Sequence, residues 1–182
     1  MYLERNAVFL FAIDISYKRN RFWDSKQTRI ARSGSLPRKN TYRMEIPQEM
    51  IAAFERRNAG KKIFYLPSRE HPEEIVCELE KDPEGRWSTA VALIGKSKPH
   101  IHTRTREVYC VINGELDIYQ GTSGIAHRYK AGDGINQIIP LTSHWAMGVN
   151  TPAEVLVVAL PAWTPEDHIL VDGQGAPLPA AH

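Results

Sequence analysis

Residues 95–114 read GKSKPHIHTRTREVYCVING, and the spacing of two histidines and a glutamate within them decides the fold. In an extended strand, side chains two residues apart leave the same face, so His100 and His102 can reach one point. Glu107 stands at an odd spacing from both, so the chain must turn or bulge within residues 103–106 before its carboxylate can join them. Beyond it, residues 107–112 and 115–119 alternate around Asn113-Gly114, the dipeptide that most favours a two-residue hairpin turn. That register predicts Val111 opposite Leu116 and Tyr109 opposite Ile118, on the same side as Glu107. The carboxylate is therefore expected to point into an apolar interior.

A charge left unpaired in such an interior is costly, and a divalent metal between the imidazoles and the carboxylate would offset that cost. Further along, residues 134–144 read GINQIIPLTSH: a strand, a proline-marked turn, and His144 opening the next strand. The combined pattern, G-x4-H-x-H-x4-E-x6-G followed by G-x5-P-x3-H, resembles the paired motifs of the cupin superfamily, small jelly-roll β-barrels. The resemblance covers residues 61–161. It implies His100, His102, Glu107 and His144 as ligands of one divalent ion (Fe, Mn, Ni, Co or Zn), with Gly95 and Gly114 as the glycines of the first motif. Two positions depart from the pattern. Thr142 stands where a glycine is usual between the proline and the histidine, and the asparagine common shortly after the histidine is displaced to Asn150.

The expected fold is all-β, a double-stranded β-helix of the jelly-roll type, with one N-terminal helix and a basic extension ahead of it. The 182 residues suffice for one domain with an appendage. The net charge of +2 is unevenly spread: residues 1–43 hold 10 Lys and Arg against 3 Asp and Glu, and residues 44–182 hold 13 against 18. The front segment shows no sustained period of either kind and reads as a loosely ordered extension, or as a start assigned ahead of a true one at Met44. Phe22 and Trp23 among its basic residues raise a nucleic-acid contact, but a nucleic-acid partner is not expected. Cys77 and Cys110 form no metal or redox pattern and suit a reducing, cytoplasmic setting, Cys110 on the outer face of its strand. The longest apolar run in the front segment, residues 8–13, is too short for a membrane span, so no membrane partner is expected.

Residues 46–60 predict a docking helix, with Pro47 at its first position, Met50, Ile51 and Phe54 at helical spacing, and Gly60 as its stop. Strands are expected at 62–66, 74–80, 86–94, 125–129, 135–139, 144–149 and 154–160, besides the two around Asn113-Gly114. The organisation is thus an extension (1–43), a helix (44–60), a barrel (61–163) and a tail (164–182). Trp163 is a candidate lid on the barrel. His168 is expected in an exposed tail, the alternative being that residues 166–168 fold back near a pocket mouth, and His71 and His127 are expected to be structural or solvated.

Three imidazoles and one carboxylate around a divalent ion leave a positive, open site suited to a small anionic or chelating molecule. Arg104 and Arg106, flanking the turn between ligands, are candidate substrate-binding residues. Tyr109, in register with Glu107, is the candidate pocket wall and proton donor. The family that the chain resembles includes dioxygenases, isomerases and lyases, and fold does not choose among them. The alternative is a non-enzymatic small-ligand or sensor module, although no helix-turn-helix stands beside the barrel. Such barrels commonly pair as homodimers through open sheet edges, which the helix would assist.

Overall fold

The strands on either side of Asn113-Gly114 do not pair with each other. In the computed structural model, which describes residues 44–172 and 175–178, β5 (Arg106–Asn113) lies between β10 (Ala153–Leu160) and β8 (Asn136–Ile138). The following strand, β6 (Glu115–Gln120), lies in another sheet between β7 (Ala126–Lys130) and β9 (His144–Gly148). Gly114 makes the step between sheets at φ +81°, and a β-carbon there would stand 3.3 Å from Ala153 Cα. The hairpin expectation is therefore corrected. Alternation reports which residues face the interior, and two strands facing each other across a barrel satisfy it as well as two lying side by side. Tyr109, Val111, Leu116 and Ile118 do share one buried core.

All the pairings are antiparallel. One sheet has the order β1-β2-β3-β10-β5-β8, where β1 is Ile63–Leu66, β2 Glu74–Lys81 and β3 Ser88–Ile94. The other runs β11-β4-β9-β6-β7, where β4 is His100–His102 and β11 His168–Leu170. Between them lie inward residues of both sheets, including Ala92, Ile94, Ile138, Ala146 and Val155.

The alternate residues of β2 and β3 serve a second core on the outer face of the first sheet. Ile75, Cys77, Val91 and Leu93 are covered there by Ile51 and Phe54 of α1 (Gln48–Arg57) and by Ile46. Phe54 is wholly buried, which contributes about 2–3 kcal/mol. The helix is shorter than the predicted 46–60. Pro47 stays extended (φ −58°, ψ 141°) and its carbonyl accepts from Met50 and Ile51, while the Asn58 side chain closes the far end on the Phe54 carbonyl at 2.9 Å. The expected docking of this helix on the barrel is what the structure shows. Cys110 is partly exposed, and both cysteines are free. No helix among the described residues is long and apolar enough to cross a membrane.

The basic segment 1–43, together with the loosely ordered extension and the Met44 start expected there, lies outside the described residues. The tail expectation changes. Residues 164–170 fold back on the barrel, β11 pairs antiparallel with β4, and His168 stands opposite His102 in register.

Candidate metal centre

Three elements bring the four motif residues together. His100 and His102 leave β4 on one face, and His100 pairs in register with His144 at the start of β9. The break in parity predicted for residues 103–106 is real. It is held by Asp167, whose carboxylate accepts from the backbone N–H of Thr103 (3.0 Å), Arg104 (3.1 Å) and Thr105 (2.9 Å) and from the Thr103 hydroxyl. After that turn β5 directs Glu107 inward. His100, His102, Glu107 and His144 are all buried, and one donor atom from each lies within 4.8 Å of the others.

Hydrogen bonds fix the tautomer of each imidazole. Nδ1 of His100 meets the Lys98 carbonyl at 2.8 Å, Nδ1 of His102 the Asp167 carbonyl at 3.1 Å, and Nδ1 of His144 the Thr142 carbonyl at 3.0 Å. A carbonyl only accepts, so each Nδ1 carries the proton, and each neutral ring keeps its Nε2 lone pair. Backbone partners of this kind are what orient metal-ligating histidines.

Two of those Nε2 atoms face the same carboxylate oxygen: Glu107 Oε2 is 3.3 Å from His144 and 3.4 Å from His102. Lone pairs opposed in this way require a proton or a cation between them. Protons serve the group poorly. Burial and the His144 and His168 imidazoles push His100 well below its usual pKa, and His102 Nε2 has no aligned hydrogen-bond partner. Burial also opposes charge on His102, although Glu107 and Asp167 together raise it, while its hydrogen-bonding histidines hold Glu107 well down against burial. One divalent ion with nitrogen and oxygen donors about 2.0–2.2 Å away fits a group of this span and satisfies all four residues.

Beside the quartet lies a cavity of about 100 Å³ whose wall includes His100, His102, Glu107 and Tyr109. The Tyr109 hydroxyl donates to Glu107 Oε2 at 3.2 Å, and burial followed by the Glu107 charge holds its pKa well above the usual value. Trp163 also lines the cavity, its ring 5.8 Å from that of Phe64, in keeping with the lid expected of it.

Arg104 and Arg106, the candidate substrate-binding residues, are not among the residues that line this cavity. The Arg104 side chain is 69% exposed, with Nε 3.8 Å from Asp167. Arg106 precedes Glu107 and so points outward, where its guanidinium donates to the Gln137 amide oxygen. His71 and His127 are exposed, as expected.

Two cavity residues escaped the sequence reading. Glu74 projects from β2 on the side opposite Ile75 and Cys77, and burial, then the Glu107 charge, raises its pKa to about 7. In a strand that alternates Glu-Ile-Val-Cys-Glu, the acidic face reads as solvent unless something shows that both faces are covered. His168 stacks 4.2 Å from the His100 ring, and burial, then the His102 charge, lowers its pKa to about 4. Its short strand follows a Pro-rich turn and carries no periodic signal of its own.

No family model matches the chain, and no curated protein matches it in sequence. Solved structures do match in shape. Streptomyces Pac13, a nucleoside dehydratase, superposes at a TM-score of 0.50 with 15% identity over 66% of this chain and 95% of its own. L-ribose isomerase of Cellulomonas parahominis aligns at a TM-score of 0.47 with 14% identity, covering 56% of this chain and 70% of the isomerase. A double-stranded β-helix protein of Klebsiella pneumoniae aligns at 0.44 with 27% identity, covering 52% and 76%. Likeness at this level speaks to fold alone: the chain has a two-sheet β-barrel with an inward histidine-glutamate group, consistent with the cupin resemblance of its motifs.

Proposed function

We propose that the protein is a metal-dependent enzyme acting on a small chelating molecule bound in the barrel cavity. His100, His102, Glu107 and His144 hold one divalent ion, drawn from Fe, Mn, Ni, Co or Zn. The observation that carries this reading is the convergence of three imidazoles and one buried carboxylate, donor atoms within 4.8 Å of one another, with every Nδ1 proton already committed to a backbone carbonyl. An ion bound there supplies Lewis-acid polarisation of the chelated group. Tyr109 keeps its proton on the phenol oxygen and aims it at Glu107, which fixes the carboxylate at the edge of the cavity. Phe64 and Trp163 shelter the bound molecule from water. Proteins of the same fold solved with uridine or L-psicose support a small-molecule ligand. A homodimer through an open sheet edge belongs to the same reading, because Ile139 and Leu141 stand exposed just beyond edge strand β8.

Elemental analysis of the purified protein, beside a variant with His100, His102 and His144 changed to alanine, tests the site. About one ion per chain in the wild type, lost in the variant, is the expected result. A wild type that stays metal-free after incubation with each of the five ions would falsify the reading.

A further inference from the structure

Outside the metal group, two polar side chains of the cavity wall have no partner. The His168 Nε2 is fully buried and makes no hydrogen bond, and His168 does not join the four residues whose donor atoms cluster. The Glu74 carboxyl makes no hydrogen bond or ion pair with another described residue, although it borders the same cavity. Both residues also border a second cavity of about 210 Å³, so they form part of the wall of each. A buried polar atom without a partner costs free energy, and in a cavity wall the partner that relieves it is a bound molecule.

The charge around the pair narrows the chemistry. A ligand carboxylate or phosphate placed directly against this pair would meet the Glu74 carboxyl, and two carboxylates cannot both keep their charge at hydrogen-bonding distance. A hydroxyl meets the requirement, because it can donate to the carboxyl and accept from, or donate to, the imidazole. Apolar surface from Phe64, Val76 and Val157, with Trp163, encloses the rest. We infer that Glu74 and His168 form the recognition wall for a hydroxyl group of a compact ligand that is uncharged at that end. The inference rests on the proposed small-molecule site and assigns its substrate class. Lys96 and Lys98 line the second cavity and not the first.

Calorimetric titration of the metal-loaded protein with glycerol, erythritol and ribitol, and with the matching acids glycerate, erythronate and ribonate, tests the assignment. The neutral members should bind, and Glu74→Gln and His168→Ala should each weaken them, and the acids through their hydroxyl ends, by about tenfold. Neutral members bound more tightly by either variant than by the wild type overturn the inference. Unchanged binding in both variants, or no binding of any neutral member at millimolar concentration, does the same. Metal content is measured on the same samples. A protein that takes up no metal defeats the proposed function, whereas normal metal content in both variants beside failed titrations defeats only the recognition wall.

Discussion

Replacing Asp167 with alanine should loosen the metal centre from a position outside it. The side chain is 2% exposed and accepts four hydrogen bonds from the turn that carries the chain from His102 to Glu107. At roughly 1 kcal/mol net for each contact, their loss costs about 4 kcal/mol. An independent route gives a compatible figure for the charge alone. The threonine hydrogen bonds overcome the burial penalty and lower the Asp167 pKa from 3.8 to about 2, equivalent to about 2–3 kcal/mol. Because the folded value is the depressed one, this contribution is complete above pH 4 and is lost as pH falls towards 2. Urea unfolding at neutral pH should therefore show Asp167→Ala destabilised by about 4 kcal/mol, and Asp167→Asn by somewhat less, since the amide keeps one acceptor. The wild type should lose the difference on acidification, but Asp167→Asn should not lose this component. The backbone carbonyl of residue 167, which orients His102, stays in the alanine variant but loses the side-chain latch that holds its segment on the turn, so metal affinity should fall. A variant within about 0.5 kcal/mol of wild type that retains its metal affinity would refute the latch.

Metal content should fall on acidification, because each imidazole binds only while its Nε2 lone pair is free; elemental analysis after dialysis across a pH series reads the loss. Excess metal should also raise the melting temperature, by about 2.7 kcal/mol of added stability at a hundredfold excess over Kd, and the triple-histidine variant should show no such rise. Phe54→Ala empties the centre of the helix-covered core and should cost about 3–5 kcal/mol in chemical denaturation, with the metal content of the surviving folded protein unchanged. Gly148→Ala places a β-carbon 2.4 Å from the Thr151 carbonyl oxygen and 3.0 Å from that of Ile94. Backbone must move at the end of β9, and the melting temperature should fall.

The sequence states which side chains face inward far better than it states what they meet there. His100, His102, Glu107 and His144 are legible because strand parity, one forced turn and a proline-marked return leave few ways to place them. Tyr109, Val111, Leu116 and Ile118 are legible as interior for the same reason, yet pairing between their strands is not, since a partner beside and a partner opposite impose the same alternation. Glu74 and His168 fail for different causes. An acid at an inward position is indistinguishable from a solvated one until the helix is seen to cover the other face of β2, and the return of residues 164–170 depends on Asp167 finding three backbone donors more than sixty residues earlier.

The same long-range contact explains why the quartet reads as a binding site rather than as an internally satisfied cluster. A polar core that existed only to hold the fold would use its histidine nitrogens on one another or on the carboxylate in aligned hydrogen bonds. Here backbone carbonyls from three separate segments, at Lys98, Thr142 and Asp167, take the Nδ1 protons. That leaves His102 Nε2 without an aligned partner and only His144 Nε2 in hydrogen-bond reach of Glu107, so without a cation the quartet is incompletely satisfied. The fold tolerates it because the surrounding strands are fixed by two cores, one inside the barrel and one beneath α1, so rotating a ring away would break a backbone contact without relieving its neighbours. Preorganisation of this kind leaves little side-chain ordering to oppose capture of a cation.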